Sequence, residues 1–196
     1  MNRFILIGGC QEKSDLTELS KAIFMDNKQT VNFLVCLFAR NPNLWNWKDL
    51  FNENKTFFAA LSAEQKIDFV LANENDFVVQ TENADIIYFS GGDSIPLYST
   101  LARIGKEWIL NIKDKTVIGT SAGTDLLSRH NYDFQQYAIA DGLGLVPIKT
   151  IVHYGEREGY YINTDWDSVS SLLKNHGEDL PLYLLREGEF VVVYSE

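Results

Sequence analysis

Residues 116–128 read TVIGTSAGTDLLS, and this stretch decides the predicted fold. The apolar run Thr116–Ile118 is followed by GTSAG and then by a short segment of helical character. Glycines on both sides of Ser121 let the backbone turn sharply between a strand and a helix. In that context Ser121 is a candidate nucleophile, and the next backbone N–H, that of Ala122, is a candidate oxyanion donor. Taken alone, the pentapeptide is equally compatible with an ordinary turn.

Apolar runs of strand length recur along the first two thirds of the chain, with helical patterns between them. They are Phe4–Ile7, Val31–Phe38, Asp85–Phe89 and Thr116–Ile118. This alternation predicts an α/β fold, a mostly parallel sheet with helices on both faces. The pair Ser62 and Gln65 predicts a helix through about Ala72, and a second helix is predicted from Ser94 toward Gly105.

The remaining segments predict a covering helix and a C-terminal hairpin. The aromatic-rich segment Asn41–Phe58 is typical of a helix plus loop that packs on the sheet. Farther along, the patterns predict a strand at Thr150–Tyr154, a capped helix at Asp165–Asn175, and a hairpin of Leu182–Leu185 with Phe190–Tyr194 that closes at Glu187-Gly188. Because no linker, repeat or low-complexity tract interrupts the chain, residues 1–196 are predicted to form a single domain.

Composition excludes several classes of partner. The 196 residues are 45% hydrophobic, enough for one sizeable core, and carry a formal net charge of -10. Such a surface repels phosphate backbones, so nucleic acid and anionic membranes are not expected partners. No apolar run is long enough to span a bilayer, and no secretory pattern opens the sequence. Cys10 and Cys36 lie in apolar runs and are expected to be buried, reduced thiols, which predicts a cytoplasmic protein.

A second glycine motif, FSGGDS at residues 89–94, also follows an apolar strand. In a parallel sheet this motif and GTSAG lie at the carboxyl ends of their strands, where open α/β folds place their sites. Phosphate binding is the alternative, but neither a P-loop lysine nor a complete dinucleotide fingerprint is present. Of the three histidines, His153 ends an apolar run and is the candidate base, whereas His130 and His176 lie in polar surroundings typical of surface.

The motifs FSGGDS, GTSAG, GLGLVP, HYG and LREGEF occur in this order between Asp85 and Tyr194. Together they resemble the peptidase E and cyanophycinase family of serine peptidases. The resemblance implies a three-layer, flavodoxin-like fold related to class I glutamine amidotransferases, and a hydrolase that removes aspartyl residues from small peptides. By motif it implies Ser121 as nucleophile, His153 as general base, and the backbone N–H groups of Gly92 and Ala122 as the oxyanion hole.

The resemblance also offers candidates for the acid and for substrate binding. Glu187 in LREGEF matches the family's triad glutamate, and Asp133 matches, more weakly, an aspartate that follows the serine motif. The match favours Glu187. Arg157 lies where the family carries a Gly-Glu-x-Arg segment and is a candidate to bind a substrate carboxylate, although a charged run is more typical of surface.

The predicted function is therefore a serine hydrolase of small peptides that uses no metal or other cofactor, since no His, Cys, Asp or Glu cluster has zinc spacing. Three alternatives stay open. A glutaminase-type amidotransferase would need cysteine in place of Ser121 at the strand-to-helix turn, here called the elbow. A non-catalytic binding module would keep only the fold. An ordinary α/β-hydrolase would use His176, with Asp165 or Asp167 before it. The oligomeric state is not predicted.

Overall fold

The computed structural model describes residues 1–25, 28–62 and 65–195. Its strands are β1 (Asn2–Ile7), β2 (Thr30–Cys36), β3 (Lys66–Leu71), β4 (Ile86–Phe89), β5 (Thr116–Thr120), β6 (His130–Asp133), β7 (Ala138–Asp141), β8 (Lys149–Ile151), β9 (Leu182–Leu184) and β10 (Phe190–Ser195). Its α-helices are α1 (Leu16–Phe24), α2 (Trp47–Leu61), α3 (Phe77–Asn83), α4 (Ser94–Ile104), α5 (Glu107–Leu110), α6 (Ala122–Leu127) and α7 (Trp166–Lys174). Short 3-10 helices lie at Gln11–Lys13 and Gly159–Tyr161.

The larger sheet has the strand order β10-β1-β5-β4-β2-β3. The five strands from β1 to β3 in this order run parallel, and β10 pairs antiparallel with β1 at one edge. Parallel strands need crossover connections, and helices supply them here. The mostly parallel α/β fold predicted from the alternating pattern is confirmed.

Alternating side chains of the central strands build a core on each face of this sheet. In β1, Phe4 and Leu6 belong to the cluster that packs against α3, α4, α5 and α6. Ile5 and Ile7 point to the opposite face, where α1 and α2 cover them. Because successive residues of a strand face opposite ways, a fully apolar run such as β1 is what a sheet covered on both sides requires.

A second sheet, of order β7-β6-β8-β9, follows α6. Strands β6, β8 and β9 are parallel, while β7 pairs antiparallel with β6. Helix α7 packs on this sheet through Val169 and Leu173, which join a smaller apolar cluster with Ile151 and Tyr132. No helix within the described ranges combines the length and apolar character needed to cross a bilayer.

The helix predicted from Ser62 to about Ala72 is wrong, because this segment forms β3. The Ser62 hydroxyl does accept the Gln65 N–H at 3.2 Å, but in the connection that follows α2; residues 63 and 64 lie outside the described residues. Apolar residues at Ile67, Phe69 and Leu71 recur with a period of two, which favours a strand over a helix.

The predicted C-terminal hairpin is also wrong. Both strands exist, but β9 pairs with β8 in the second sheet and β10 pairs with β1 in the first. Strand periodicity predicts an extended segment but not the strand with which it pairs. The Glu187-Gly188 turn is compatible both with a hairpin and with a connection between two sheets. The helix predicted from Ser94 is confirmed: α4 begins there, with Asp93 as its N-cap.

Candidate active site

Ser121 occupies a strained corner between β5 and α6. Its φ of 51° and ψ of -113° lie in a region that residues with a Cβ rarely adopt. The Ser121 N–H donates to the carbonyl of Ile7 at 3.0 Å, which ties the corner to β1. A Cβ at Gly123 would lie 2.2 Å from the Phe89 carbonyl oxygen, so the close packing of α6 on β4 requires glycine there.

The buried side chain of Thr124 fixes this corner further. Its Oγ1 lies 2.8 Å from the carbonyl oxygens of both Ile7 and Gly119, and it accepts the Ile7 N–H at 3.0 Å. One hydroxyl therefore holds together β1, β5 and the first turn of α6. Sequence reasoning missed this role, because a threonine in a helix carries no local signal of such a bond.

His153 and Glu187 follow β8 and β9, neighbouring parallel strands of the second sheet. The Ser121 Oγ lies 2.7 Å from His153 Nε2, and His153 Nδ1 lies 2.5 Å from Glu187 Oε1. Both side chains are mostly buried, with 17% and 13% exposed. The structure thus brings the three predicted residues into one hydrogen-bonded chain.

Asp133, the other candidate acid, has different partners. Its carboxylate accepts the backbone N–H groups of Gln135 and Gln136 and the Gln136 side-chain amide, which closes a turn after β6. The residue lines the same cavity as Ser121 but makes no contact with His153 among the described hydrogen bonds.

Gly9 lies against the histidine and the glutamate. A Cβ at this position would lie 2.5 Å from His153 Cε1 and 2.7 Å from Glu187 Oε2. The Gly9 carbonyl accepts the Gly188 N–H, and the carbonyl of Gly8 accepts the His153 N–H. The paired glycines after β1 do not form a dinucleotide fingerprint; in this fold they permit close packing of the chain.

The FSGGDS loop approaches the serine from β4. A Cβ at Gly91 would lie 3.2 Å from the Cβ of Ser121, and one at Gly92 would lie 2.3 Å from the Ala39 carbonyl oxygen. Ala122 is the first residue of α6, so its N–H has no partner within the helix. Gly92 and Ala122, the two predicted oxyanion donors, both line the cavity that Ser121 lines.

A cavity of about 440 Å³ opens beside these groups. Residues of α2, of the loops after β1, β2 and β4, and of the 3-10 helix at 159–161 line it. The lining includes four acidic residues, Glu12, Glu53, Asp125 and Asp133. Arg40 is the one arginine or lysine among the described lining residues, and its guanidinium lies 5.1 Å from the centroid of the Trp45 ring.

Arg157 and His176 lie elsewhere. Arg157 is exposed and does not belong to the described lining of this cavity. The His176 ring packs edge-on against that of His130, with 4.9 Å between centroids. The imidazole beside Ser121 is that of His153, and the Tyr161 ring packs on it with 5.2 Å between ring centroids.

The two cysteines differ from expectation. Cys36 is buried, and burial raises its pKa to about 12, as expected of a core thiol. Cys10, however, is exposed at the start of the 3-10 helix after β1. The apolar run ends at Ile7, and the two glycines that follow carry the chain out of the sheet before Cys10.

A family comparison matches residues 5–196 to the model of peptidase family S51. The chain belongs to peptidase family S51. Membership in this family makes the chain a serine-type peptidase. The matched range covers every residue of the hydrogen-bonded chain and the described cavity lining.

Two solved structures show the same fold. A peptidase from an acI-B1 Actinobacterium is 24% identical and superposes with a TM-score of 0.60 over 98% of this chain and 83% of its own. A putative peptidase E protein from Listeria monocytogenes EGD-e is 17% identical, with a TM-score of 0.63 and full coverage of both chains. A search of curated proteins found no match.

Asp125, beside this site, has a carboxyl group whose pKa differs from the ordinary value. The residue lines the cavity, and Thr150 Oγ1 donates to its carboxyl at 3.3 Å. Burial raises the pKa of Asp125 well above its ordinary value, an effect that the Thr150 hydrogen bond only partly offsets. The folded state therefore holds the Asp125 proton more tightly than the unfolded state does.

Asp125→Asn is expected to raise the free energy of unfolding at neutral pH, since it removes the cost of burying a charge. A raised folded-state pKa makes wild-type stability fall as pH rises above the unfolded value of about 3.9. The gain from the variant should thus be small near that pH and grow toward neutrality, as urea unfolding at several pH values would measure. The exposed Asp179→Asn is the matched control; a gain that is constant with pH would contradict the expectation.

Proposed function

We propose that this chain hydrolyses small peptides through an acyl-enzyme intermediate on Ser121. The observation that carries the proposal is the continuous hydrogen-bonded chain from Ser121 Oγ to His153 and on to Glu187. A serine hydroxyl is a weak nucleophile at neutral pH unless a neighbouring base removes its proton. His153 Nε2 is within reach of that proton, and Glu187 orients the ring and stabilises the imidazolium that forms.

The proposed reaction has two halves. Ser121 Oγ attacks the scissile carbonyl carbon while its proton passes to His153 Nε2, and the same proton then passes to the departing amine as the peptide bond breaks. In the second half water attacks the ester, gives a proton to His153, and releases the acid as Ser121 regains its hydrogen. Proton transfer by a positioned imidazole contributes about 10²–10⁴-fold in rate.

The oxyanion would be bound by the backbone N–H groups of Ala122 and Gly92. Two features support this assignment: the position of Ala122 at the first turn of α6, and the close approach of Gly91, the neighbour of Gly92, to Ser121. Backbone donors held rigidly by strands and a helix cost no reorganisation when charge develops.

The cavity suits a small peptide. Its volume of about 440 Å³ lies within the range of ordinary ligand pockets, about 300–1,000 Å³. We propose a preference for an acidic residue, as the peptidase E resemblance implies, with Arg40 as the group that binds its carboxylate. Arg40 is favoured over Arg157 because it lines the cavity, and stacking on Trp45 restrains its guanidinium.

The chain is proposed to act as one unit in the cytoplasm. The site needs both sheets, since Ser121 follows β5 of the first sheet while His153 and Glu187 follow strands of the second. Both cysteines are free thiols, which is typical of a reducing compartment.

The alternative of an ordinary α/β-hydrolase loses support because the His176 ring packs on His130. A serine at the elbow disfavours a glutaminase.

A fluorophosphonate probe tests the nucleophile. It is expected to label Ser121, as peptide mass spectrometry would show, because only a serine with an adjacent base is activated. Ser121→Ala should abolish labelling and peptide hydrolysis, whereas the exposed Ser99→Ala on α4 should keep both. Folded wild-type protein that takes up no label would instead favour a non-catalytic binding module.

Isosteric substitution can distinguish the roles of the Glu187 and Asp133 carboxylates. Glu187→Gln is expected to lower kcat by about 10²-fold or more, since it removes the charge that stabilises the imidazolium of His153. Asp133→Asn, the matched change on the same cavity, should cost much less because Asp133 only closes a turn. A larger loss in kcat for the Asp133 variant would show that the acid is assigned to the wrong residue.

Substrate preference tests the two arginines. Arg40→Gln is expected to reduce kcat/KM for an Asp-initiated dipeptide by about tenfold or more, while an Ala-initiated dipeptide loses little, because a charge-assisted contact is removed from one substrate only. Arg157→Gln is the matched control and should leave the ratio unchanged. If the Arg157 variant alone loses the preference, Arg157 binds the substrate carboxylate, as the family resemblance implies.

A further inference from the structure

A second cluster of chemically active side chains lies away from the cavity, at the other end of β6. His130 opens β6, Asp141 ends β7 directly opposite it, and His176 lies in the connection after α7. One ligand atom from each residue lies within 4.8 Å of the others. A four-coordinate zinc ion with bonds of about 2.0–2.2 Å holds its ligand atoms about 3.4 Å apart, so small side-chain rotations would close the set.

His130 is a fixed member of this cluster. Contrary to its predicted surface position, only 5% of its side chain is exposed. Its two strand neighbours hold the backbone, and Gly177 packs on the ring so closely that a Cβ there would lie 3.0 Å from Nε2. Asp141 and His176 are exposed, which leaves an entry path and room for a water ligand.

Each ring nitrogen of His130 faces a carboxylate oxygen. Nδ1 lies 2.6 Å from Asp141 Oδ1, and Nε2 lies 2.7 Å from Glu178 Oε2. A neutral imidazole has one proton and cannot donate to both carboxylates. With its proton on Nε2, His130 would offer the Nδ1 lone pair to a cation that Asp141 also binds, in place of the hydrogen that these two atoms share without the ion.

Glu178 completes a pattern known from metal centres generally. A metal-bound histidine usually donates its other N–H to a carboxylate, which fixes the tautomer and the ring orientation. Glu178 is placed to accept that proton, and Arg129 pairs with Glu178 at 3.2 Å. The donor set of two imidazoles and one carboxylate suits zinc and neighbouring divalent transition metals better than calcium or magnesium.

We propose that His130, Asp141 and His176 bind a divalent transition-metal ion, with zinc as the representative, and that Glu178 orients His130. The ion would join the β6–β7 pair to the connection between α7 and β9. It would stand apart from the hydrolytic chain, because the far end of β6, at Tyr132 and Asp133, is the part that lines the catalytic cavity. Sequence spacing could not reveal the set, since its members come from three separate segments.

Calorimetric titration of the EDTA-treated full chain with zinc chloride tests the proposal. One zinc ion is expected to bind at micromolar concentration and to raise Tm. His176→Ala and Asp141→Asn should each weaken this binding by about tenfold or more and remove the rise in Tm, whereas the neighbouring exposed Asp179→Asn should change neither. Circular dichroism of the metal-free variants checks that they fold.

Cobalt(II) gives an independent readout, because its visible absorption bands intensify when the ion becomes four-coordinate. The wild type is expected to show these bands and His176→Ala to lack them. The proposal is overturned if zinc does not bind, or if His176→Ala binds as tightly as the wild type. Binding that disappears in His153→Ala but survives in His176→Ala would also overturn it, since the ion would then lie at the hydrolytic site.

Discussion

The backbone at the end of β1 is the constraint on which the site depends. The carbonyl of Ile7 accepts the Ser121 N–H, that of Gly8 accepts the His153 N–H, and that of Gly9 accepts the Gly188 N–H. Three consecutive peptide groups thus position the serine, the histidine and the segment of the glutamate. A side chain on either glycine would collide with these partners, at 2.3 Å for Gly8 and 2.5 Å for Gly9.

Much of the larger sheet could be predicted because its strands are buried on both faces. Such strands are continuous apolar runs, which stand out in a sequence, and the elbow follows one of them. Errors arose where the signal was local but the outcome depended on distant partners. The bond between Ser62 and Gln65 formed as predicted, yet it lies in the connection before β3 and not at the start of a helix. Likewise β9 and β10 formed as strands, but in two different sheets.

The residues of the candidate site also fall into those that the sequence could predict and those that it could not. Ser121 and His153 follow recognisable strands, so their residue types and positions could be predicted together. Thr124, Tyr161 and Arg40 could not. Thr124 bonds to Ile7, which is 117 residues away. The contact of Tyr161 with His153 and the place of Arg40 in the cavity lining depend on how loops fold over the site. Arg157 shows the limit of a local match, because likeness to a family segment does not determine whether a side chain faces a cavity, and here the residue is exposed.

The pairing of β1 with β10 has a consequence for how hydrolytic activity is acquired. Asn2 pairs with Ser195, and the glutamate segment that precedes β10 bonds back to Gly9. Contacts between such distant residues require the closure of a long loop, whose entropic cost must be met before the pairing stabilises the chain. A partly folded chain that lacks this strand pair does not hold Glu187 beside His153, so the hydrogen-bonded chain from Ser121 to Glu187 belongs to the finished fold alone. The hydrolysis proposed for it would then be absent from folding intermediates.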